Sequence, residues 1–121
     1  MRFNPDVAIF QQIADQLTDE ILEGRLKPGD RLPSARELAV TLEVNPNTAA
    51  RALQLLADGG LARPERGTGY FVDDQGPKRA LEARREQFVQ TQIPRLVRTL
   101  DQLGISQQEL MEILQREGER K

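Results

Sequence analysis

The sequence predicts a mainly α-helical chain with one small β-hairpin, and three observations support this fold class. Apolar residues recur every three or four positions over several stretches, which is the spacing of a helix packed on one side. Residues 61–72 instead hold two short runs of strand-forming residues around a loop that contains glycine. Serine or asparagine stands at the start of several helical stretches, where its side chain caps exposed backbone N–H groups.

The composition limits the size and the chemistry of the protein. The 121 residues suffice for one compact domain with an appendage, and 38% of them are hydrophobic, enough for a small core. The chain has no cysteine and no histidine, which removes disulfides, thiol nucleophiles, imidazole bases and the usual zinc ligands. We therefore expect no enzyme activity, no cofactor and no metal. No segment approaches the roughly 18 apolar residues of a membrane helix, so a cytoplasmic protein without membrane contact is expected.

The first helix is expected from about residue 7 to about residue 23. One apolar stripe runs along it, formed by Ile9, Ile13, Leu17 and Ile21. Gly24 is suited to end this helix, because glycine adopts the left-handed backbone conformation without strain. Pro28 and Gly29 then suit the two central positions of a type II turn that leads to the next helix.

Two further helices are expected between residues 34 and 60. Ser34 and Glu37 form a capping-box pattern, in which each side chain satisfies a free backbone N–H at the start of the second helix. Asn45 and Pro46 suit the cap and the first position of the third helix, which should end at the two following glycines.

A short hairpin follows the third helix. Residues 61–63 and 70–72 are expected to be its strands, and the sequence Pro-Glu-Arg-Gly-Thr-Gly its loop. Three helices followed by such a hairpin form a winged helix-turn-helix, a fold that places the start of its third helix in the major groove of DNA.

The third helix has a polar stripe that is suited to reading bases. Its residues have the spacing i, i+4, i+7 and i+11, and we call Asn47, Arg51, Gln54 and Asp58 the recognition stripe. Asparagine and glutamine pair with adenine and arginine with guanine, each good pair contributing about 1–3 kcal/mol of discrimination. Asn47 and Thr48 also lie in the first turn, where free N–H groups favour a phosphate, and Asn45 beside them completes this set of expected DNA contacts.

Two other segments complete the expected DNA-binding surface. Ser34 and Arg36 stand at the start of the second helix, where we expect a phosphate contact; for Arg36, a surface ion pair with a neighbouring glutamate is the alternative. Arg66, Gly67 and Thr68 form the tip of the hairpin, which can follow the DNA backbone or enter the minor groove. An ordinary hairpin turn is the alternative for the tip.

The net charge speaks against DNA binding, because the chain is slightly acidic at −2 and nucleic-acid domains are usually basic. Polar residues on an exposed helix face are also often only solvated. The alternative is therefore a winged-helix module that docks another protein through the same face. A steep loss of affinity for duplex DNA with added salt would distinguish the two, since counterion release requires it for DNA.

The C-terminal part is expected to be a separate helical appendage. Residues 73–77 contain no apolar side chain and are typical of a linker, which divides the chain into a winged helix-turn-helix at 1–74 and a tail at 75–121. Pro94 should kink or interrupt the first tail helix, and Gly104 should end it. Ser106 and Glu109 form a second capping-box pattern at the start of the last helix.

The two tail helices have an apolar stripe but no third element to cover it. The stripe consists of Leu81, Phe88, Ile93, Leu96, Val97, Leu100, Leu103, Leu110, Ile113 and Leu114. Two amphipathic helices cannot bury such a stripe alone. We therefore expect it to pair with the same stripe of a second chain.

The sequence resembles the GntR family of bacterial transcription regulators. The resemblance rests on the segments IFQQIADQL, LKPGDRLPSARELA, VNPNTAARALQLLADGGL and GTGYFV. It implies a winged helix-turn-helix that contacts operator DNA through the start of the second helix, residues 45–51 and the wing. Many relatives have arginine where this chain has Ala50, so that Arg51, Asn47 and Thr48 have more of the contact to make.

The short C-terminal part is similar to the two-helix dimerisation appendage of the YtrA-type branch of that family. This resemblance implies a homodimer that binds a palindromic operator in double-stranded DNA, and it favours repression. A small-molecule effector of unidentified chemistry is left open, because such regulators often lie with transporter genes. The residues of the tail indicate no ligand pocket or metal set for it.

Overall fold

The computed structural model describes residues 2–5 and 7–120. Three helices are followed by two strands and three further helices. Their bounds are α1 Ile9–Leu22, α2 Ala35–Leu42, α3 Pro46–Asp58, β1 Ala62–Glu65, β2 Gly69–Val72, α4 Gly76–Gln87, α5 Ile93–Leu103 and α6 Gln107–Glu119. The π-helical segment Phe88–Gln92 lies between α4 and α5. The predicted fold class, mainly helical with one β-hairpin, is confirmed.

The chain forms two compact units, Met1–Ala83 and Arg84–Lys121, which we call the head unit and the tail unit. The linker expected at 73–77 was wrong at its end, because α4 begins at Gly76 and Ala80 is completely buried in the core of the head unit. The apolar spacing of the sequence did not indicate that the start of α4 packs against the head unit, because the residue in contact there is a glycine. A Cβ atom on Gly76 would lie 2.8 Å from the carbonyl oxygen of Leu61. Residues 75–83 thus belong to the head unit and not to the tail.

The core of the head unit is aliphatic and joins α1, α3 and the hairpin. Its largest fully buried side chains are Ile13, Ile21, Leu32, Leu53 and Val72. Ala49 and Ala52 are also fully buried, and their small side chains let α3 approach the rest of the core closely. Truncation of a buried leucine such as Leu53 to alanine costs about 2–5 kcal/mol. This packing holds α3 in place and leaves its other face free.

The start of α2 has the predicted capping box. Ser34 Oγ accepts a hydrogen bond from the N–H of Glu37 at 3.0 Å, and Glu37 Oε1 accepts one from the N–H of Ser34 at 3.1 Å. The helix ends at Glu43, which has a left-handed backbone conformation with φ +56°. That conformation turns the chain sharply, so that α3 begins only three residues later. The two helices form the helix-turn-helix.

The two strands of the hairpin are antiparallel and longer than predicted. Pro64 and Glu65, which were expected in the loop, belong to β1, and Glu65 lies opposite Gly69. A proline is tolerated here because one edge of β1 needs no N–H donor. A bridge between Arg31 and Phe71 adds a short third segment on the other side of β2. This hairpin is the wing, and its tip is reduced to residues 66–68.

The helix is disturbed next to Pro94, as predicted. Proline has no N–H to donate to the preceding turn, and the hydrogen bonding changes to the π-helical pattern in the residues before it. The N–H of Ile93 donates to the carbonyl oxygen of Phe88, five residues back. The chain stays helical through this segment and continues as α5.

The described part of the tail unit, residues 84–120, has no buried residue. Gly104 ends α5 with φ +68°, as predicted. Ser106 Oγ then accepts a hydrogen bond from the N–H of Glu109 at 3.1 Å, which is one of the two bonds of the predicted capping box. Both helices are well delimited, yet neither has a core to cover its apolar face.

Candidate nucleic-acid interface

The recognition stripe lies on the outer face of α3, as the sequence predicted. Its exposed members are Asn47, Arg51, Gln54 and Asp58. The opposite face of the helix is buried and consists of Ala49, Ala52, Leu53 and Leu56. The two faces are separated by helical periodicity alone, because residues four and seven apart fall on the same side. The stripe is therefore open to a partner.

The first turn of α3 is closed by its own cap. Asn45 Oδ1 accepts a hydrogen bond from the N–H of Asn47 at 2.8 Å, and Pro46 has no N–H. The cap that the sequence predicted at Asn45 therefore uses the N–H of Asn47. Thr48 is half-buried beside this turn. For an anion, this turn offers the positive end of the helix dipole together with the side chains of Asn47 and Thr48.

Arg51 lies against the first helix. Its guanidinium carbon is 4.0 Å from the centroid of the Phe10 ring, a cation–π contact between α3 and α1. Such contacts contribute about 0.5–1 kcal/mol at exposed sites. Because the Phe10 ring covers one face of the guanidinium, it restricts the conformations of the flexible Arg51 side chain at the surface of α3.

Gln54 joins the recognition stripe to the wing. Its Nε2 donates to Asp58 Oδ1 at 2.8 Å, and its Oε1 accepts a hydrogen bond from the hydroxyl of Tyr70 at 3.3 Å. Tyr70 is in β2, so that a side chain of the wing contacts the outer face of α3. Asp58, which sequence reasoning placed on the stripe without a role, orients the Gln54 amide.

Arg31 connects the wing tip to the start of α2. Its Nε donates to the carbonyl oxygen of Thr68 at 3.1 Å, and its Nη1 donates to Glu37 Oε1 at 3.2 Å. The same Glu37 oxygen accepts the N–H of Ser34. We call Thr68, Arg31, Glu37 and Ser34 the wing clamp. It brings together two of the three segments that the sequence predicted to contact DNA.

The wing clamp keeps Glu37 ionised. Its pKa lies below the ordinary value of 4.5, first because the backbone N–H of Ser34 donates to it, and then because of the Ser34 hydroxyl and Arg31. Each of these groups stabilises the charged carboxylate. The negative charge in turn favours the N-terminal turn of α2 through the helix dipole.

Arg36 is exposed on α2 next to the clamp. Among the described residues, no ion pair joins Arg36 to Glu37 or Glu43, the partners that the alternative interpretation required. Its guanidinium is thus available at the surface that also carries the wing tip. Ser34, by contrast, has both its N–H and its Oγ engaged in the capping box.

The wing tip is a tight turn that carries an exposed basic side chain, Arg66. Gly67 has φ +79°, a conformation that a side chain rarely adopts, and nothing lies within 4 Å of the position of its absent Cβ. Thr68 closes the turn, because its N–H and its Oγ1 both bond to the carbonyl oxygen of Glu65. Arg66 is exposed at this tip. A glycine here lets another backbone approach closely.

Sequence reasoning missed Arg31, Phe10 and Tyr70 as residues that hold this surface. Phe10 lies within the first expected helix and Tyr70 within an expected strand, and neither pattern indicates a contact with α3. Arg31 contacts a residue 37 positions later, and no local pattern indicates such a distant partner. Only the three-dimensional arrangement of α1, α2 and the wing reveals these contacts.

The residues predicted to pair two chains lie on α4, the π-helical segment after it, α5 and α6, and none of them is buried. The exposed ones are Leu81, Phe88, Leu96, Val97, Leu103 and Leu114, and the half-buried ones are Ile93, Leu100, Leu110 and Ile113. The exposed fraction reaches 68% at Leu103. Val89 and Met111, which the stripe did not include, are 60% and 65% exposed. Soluble chains rarely leave so much apolar surface uncovered.

None of the described helices has both the length and the apolar character that a membrane span requires.

Comparisons with known proteins agree with this geometry. The family described as bacterial regulatory proteins, gntR family, matches residues 9–72. The HTH-type transcriptional repressor YtrA of Bacillus subtilis (strain 168) is 32% identical, over 86% of this chain and 79% of that protein. A crystal structure of a GntR-family transcriptional regulator from Bacteroides thetaiotaomicron has a TM-score of 0.80 at 34% identity, covering 93% of this chain and 98% of that one.

A DNA complex is also among the similar structures. BusR of S. agalactiae, solved with its busAB-promoter DNA, has a TM-score of 0.63 at 25% identity, covering 93% of this chain and 54% of that one. The winged helix-turn-helix with its open recognition stripe defines a DNA-binding transcription regulator. The chain belongs to the GntR family of bacterial regulatory proteins, since that family matches more than half of its length.

Proposed function

We propose that the protein represses transcription by binding a palindromic operator in double-stranded DNA as a homodimer. The observation that carries this proposal is the outward-facing recognition stripe of α3, which the hydrogen bond from Tyr70 to Gln54 connects to the wing. The relative from Bacillus subtilis is named a repressor, which supports the direction of regulation. Bacterial DNA lies in the cytoplasm, and we place the protein there.

In this proposal, α3 enters the major groove and its outer face contacts base edges. Asn47 and Gln54 pair with adenine and Arg51 with guanine. The stack on Phe10 supports this role of Arg51, because a side chain already held in place loses less conformational entropy on binding. The Gln54 amide is likewise oriented by Asp58 before DNA arrives.

The neighbouring segments contact the DNA backbone. Arg36 binds a phosphate, and Thr48 with the positive end of α3 binds another. Arg66 and Gly67 at the wing tip follow the backbone or enter the minor groove. Ser34, Asn45 and Thr68 contribute by shape, since their side chains are engaged in the caps and the turn that present these contacts.

The apolar surface of the C-terminal helices pairs two chains. Exposed side chains along α5 and α6 have no core of their own, and their burial against a second copy stabilises a dimer by roughly 25 cal/mol per Å² of apolar area. A dimer presents two recognition helices to successive major grooves about 34–36 Å apart. Two half-sites bound together also give an affinity that one half-site does not reach.

Selection of bound sequences from a random duplex pool, followed by footprinting, tests this function. We expect an inverted repeat with both half-sites protected, and an affinity that falls steeply with added salt because phosphate contacts release counterions. Protection of one half-site at saturating protein would contradict the dimer. Failure to enrich any sequence, with salt-insensitive binding, would instead support a module that docks another protein.

A further inference from the structure

The head unit has an apolar groove between α1 and α2 that the expected DNA contacts do not use. Its volume is about 460 Å³, which lies within the roughly 300–1,000 Å³ of small-ligand sites. Side chains of both helices line it together with Pro33 of the preceding loop, and the apolar helix residues are Ile13, Leu17, Leu38 and Leu42. Ile13 and Leu17 are buried, so that the floor of the groove is the core itself.

The rim of this groove is acidic. Glu20 of α1 and Glu37 of α2 line it, beside the uncharged Gln16 and Thr41, and no lysine or arginine is among the described lining residues. Glu20 is half-buried, and no ion pair joins its carboxylate to a described basic residue. The lowered pKa of Glu37 keeps the second carboxylate charged. A half-buried carboxylate beside apolar surface favours a positive charge nearby.

We propose that this groove binds a small organic cation with an apolar body, and that such a cation is the effector of the protein. The apolar floor accommodates the body, and the carboxylates of Glu20 and Glu37 attract the charge. An anion is repelled by the same rim. A neutral apolar molecule can pack on the apolar floor but leaves the half-buried carboxylate of Glu20 without a partner.

The groove is connected to the DNA-facing surface through one residue. Glu37 lines the groove and also accepts the hydrogen bond of Arg31, whose Nε binds the carbonyl oxygen of Thr68 in the wing tip. A cation bound at Glu37 competes with Arg31 for the carboxylate and thereby weakens the wing clamp. This regulatory step rests on the proposed function, because it requires the wing to contact DNA. Binding of the cation then lowers operator affinity.

Two ions of the same shape and opposite charge test the site on the free protein. Tetraphenylphosphonium and tetraphenylborate are titrated into the 121-residue chain while methyl NMR signals of Ile13, Leu17, Leu38 and Leu42 are followed. We expect saturable shifts of these signals with the phosphonium, and binding of the borate that is at least about tenfold weaker. Equal binding of both ions, or shifts confined to the tail unit, would overturn the proposal.

Matched variants locate the charge that matters. Glu20→Gln should weaken phosphonium binding about two- to fivefold, as expected for a partly exposed ion pair. Glu23→Gln removes the same charge from the same end of the molecule but does not line the groove, and it should leave binding unchanged. Equal effects of the two variants would indicate general attraction by the acidic head unit and would refute a defined site. The comparison of the two ions needs no variant.

The regulatory step has its own measurement. Operator affinity of the wild-type protein should decrease as tetraphenylphosphonium saturates the groove, with tetraphenylborate as the control. Probe binding without any change in DNA affinity would refute the effector role and leave the site. If no DNA binds under any condition, the proposed function fails, while the result on the free protein still decides whether the groove binds cations.

Discussion

The guanidinium of Arg51 stacks on the ring of Phe10, 4.0 Å from its centroid, and so joins the outer face of α3 to the first helix. The side chain that we propose to read guanine is therefore positioned before DNA binds. Arginine is suited to this double role, because its planar group can stack on a ring and still present a fork of N–H donors at its edge.

Replacement of Arg51 with alanine should weaken specific operator binding by about 1–3 kcal/mol and relax base preference at one position of each half-site. Binding to a random duplex should change much less. Quantitative gel shifts with operator and random DNA measure both. Arg25→Ala removes an exposed arginine that pairs with Glu23 away from α3, and it controls for the change in net charge. Unchanged operator affinity in Arg51→Ala would show that the recognition stripe is wrongly assigned.

The Phe10→Leu variant tests the stack itself. Leucine keeps an apolar side chain on α1 but offers no ring face for the guanidinium. Arg51 is then not held in place before binding, and it loses more conformational entropy when it binds DNA. We expect operator affinity to drop by about 0.5–1 kcal/mol, the size of an exposed cation–π contact. The double variant Phe10→Leu/Arg51→Ala should bind no more weakly than Arg51→Ala alone. Additive losses would mean that Phe10 affects DNA binding by another route.

Arg31 should matter through geometry more than through charge. Arg31→Ala removes the two hydrogen bonds that Arg31 makes in the wing clamp and should speed hydrogen exchange of the amides at the wing tip, residues 66–69. Arg31→Lys keeps the charge but lacks the planar fork that reaches Thr68 and Glu37 together, so that it should restore little of the protection. Full rescue by lysine would indicate that only the positive charge is needed.

Stability should depend on the protonation of Glu37. Its pKa in the folded chain is below 4.5, so that the carboxylate stabilises the fold above this pH and loses that contribution as the pH falls through the lowered pKa. Glutamine in its place keeps a capping side chain but does not titrate. Urea unfolding between about pH 7 and about pH 3 should therefore show a shallower acid loss for Glu37→Gln than for the wild type. Parallel curves would contradict this.

A charge on the apolar face of α5 should dissociate the proposed dimer. Leu103 is 68% exposed in the single chain, and an aspartate there would lose hydration in a paired interface, which costs about 1–3 kcal/mol per chain. Sedimentation equilibrium should show a dissociation constant raised by at least about tenfold for Leu103→Asp. Gln102→Asp places the same charge one position earlier on the same helix and should remain dimeric. Equal behaviour of the two variants would place the interface elsewhere.

The helices and the recognition stripe could be predicted because their causes are local. The capping pairs Ser34–Glu37 and Asn45–Pro46 set where helices begin, and the apolar spacing of three and four residues sets which face is buried. The outward position of Asn47 follows from the same spacing. These features need only neighbours within one or two helical turns.

The connections between elements could not be predicted, because each depends on residues that are distant in sequence. Arg31 meets Thr68 only after the wing has folded back beside α2. The stack of Arg51 on Phe10 likewise requires the packing of α1 on α3. The groove between α1 and α2 also depends on how these two helices are placed in the folded chain, and no local residue pattern indicates it.

Gly76 has a consequence for how loss-of-function variants of this protein are interpreted. Any side chain there must displace either the strand-side backbone at Leu61 or the start of α4, because the first added carbon already meets the carbonyl oxygen at 2.8 Å. In a random mutational screen, substitutions of this glycine would therefore lose function, as would substitutions of the residues that contact DNA. Its phenotype would arise from lost folding, and protein abundance measured alongside repression would separate it from the variants that touch the operator.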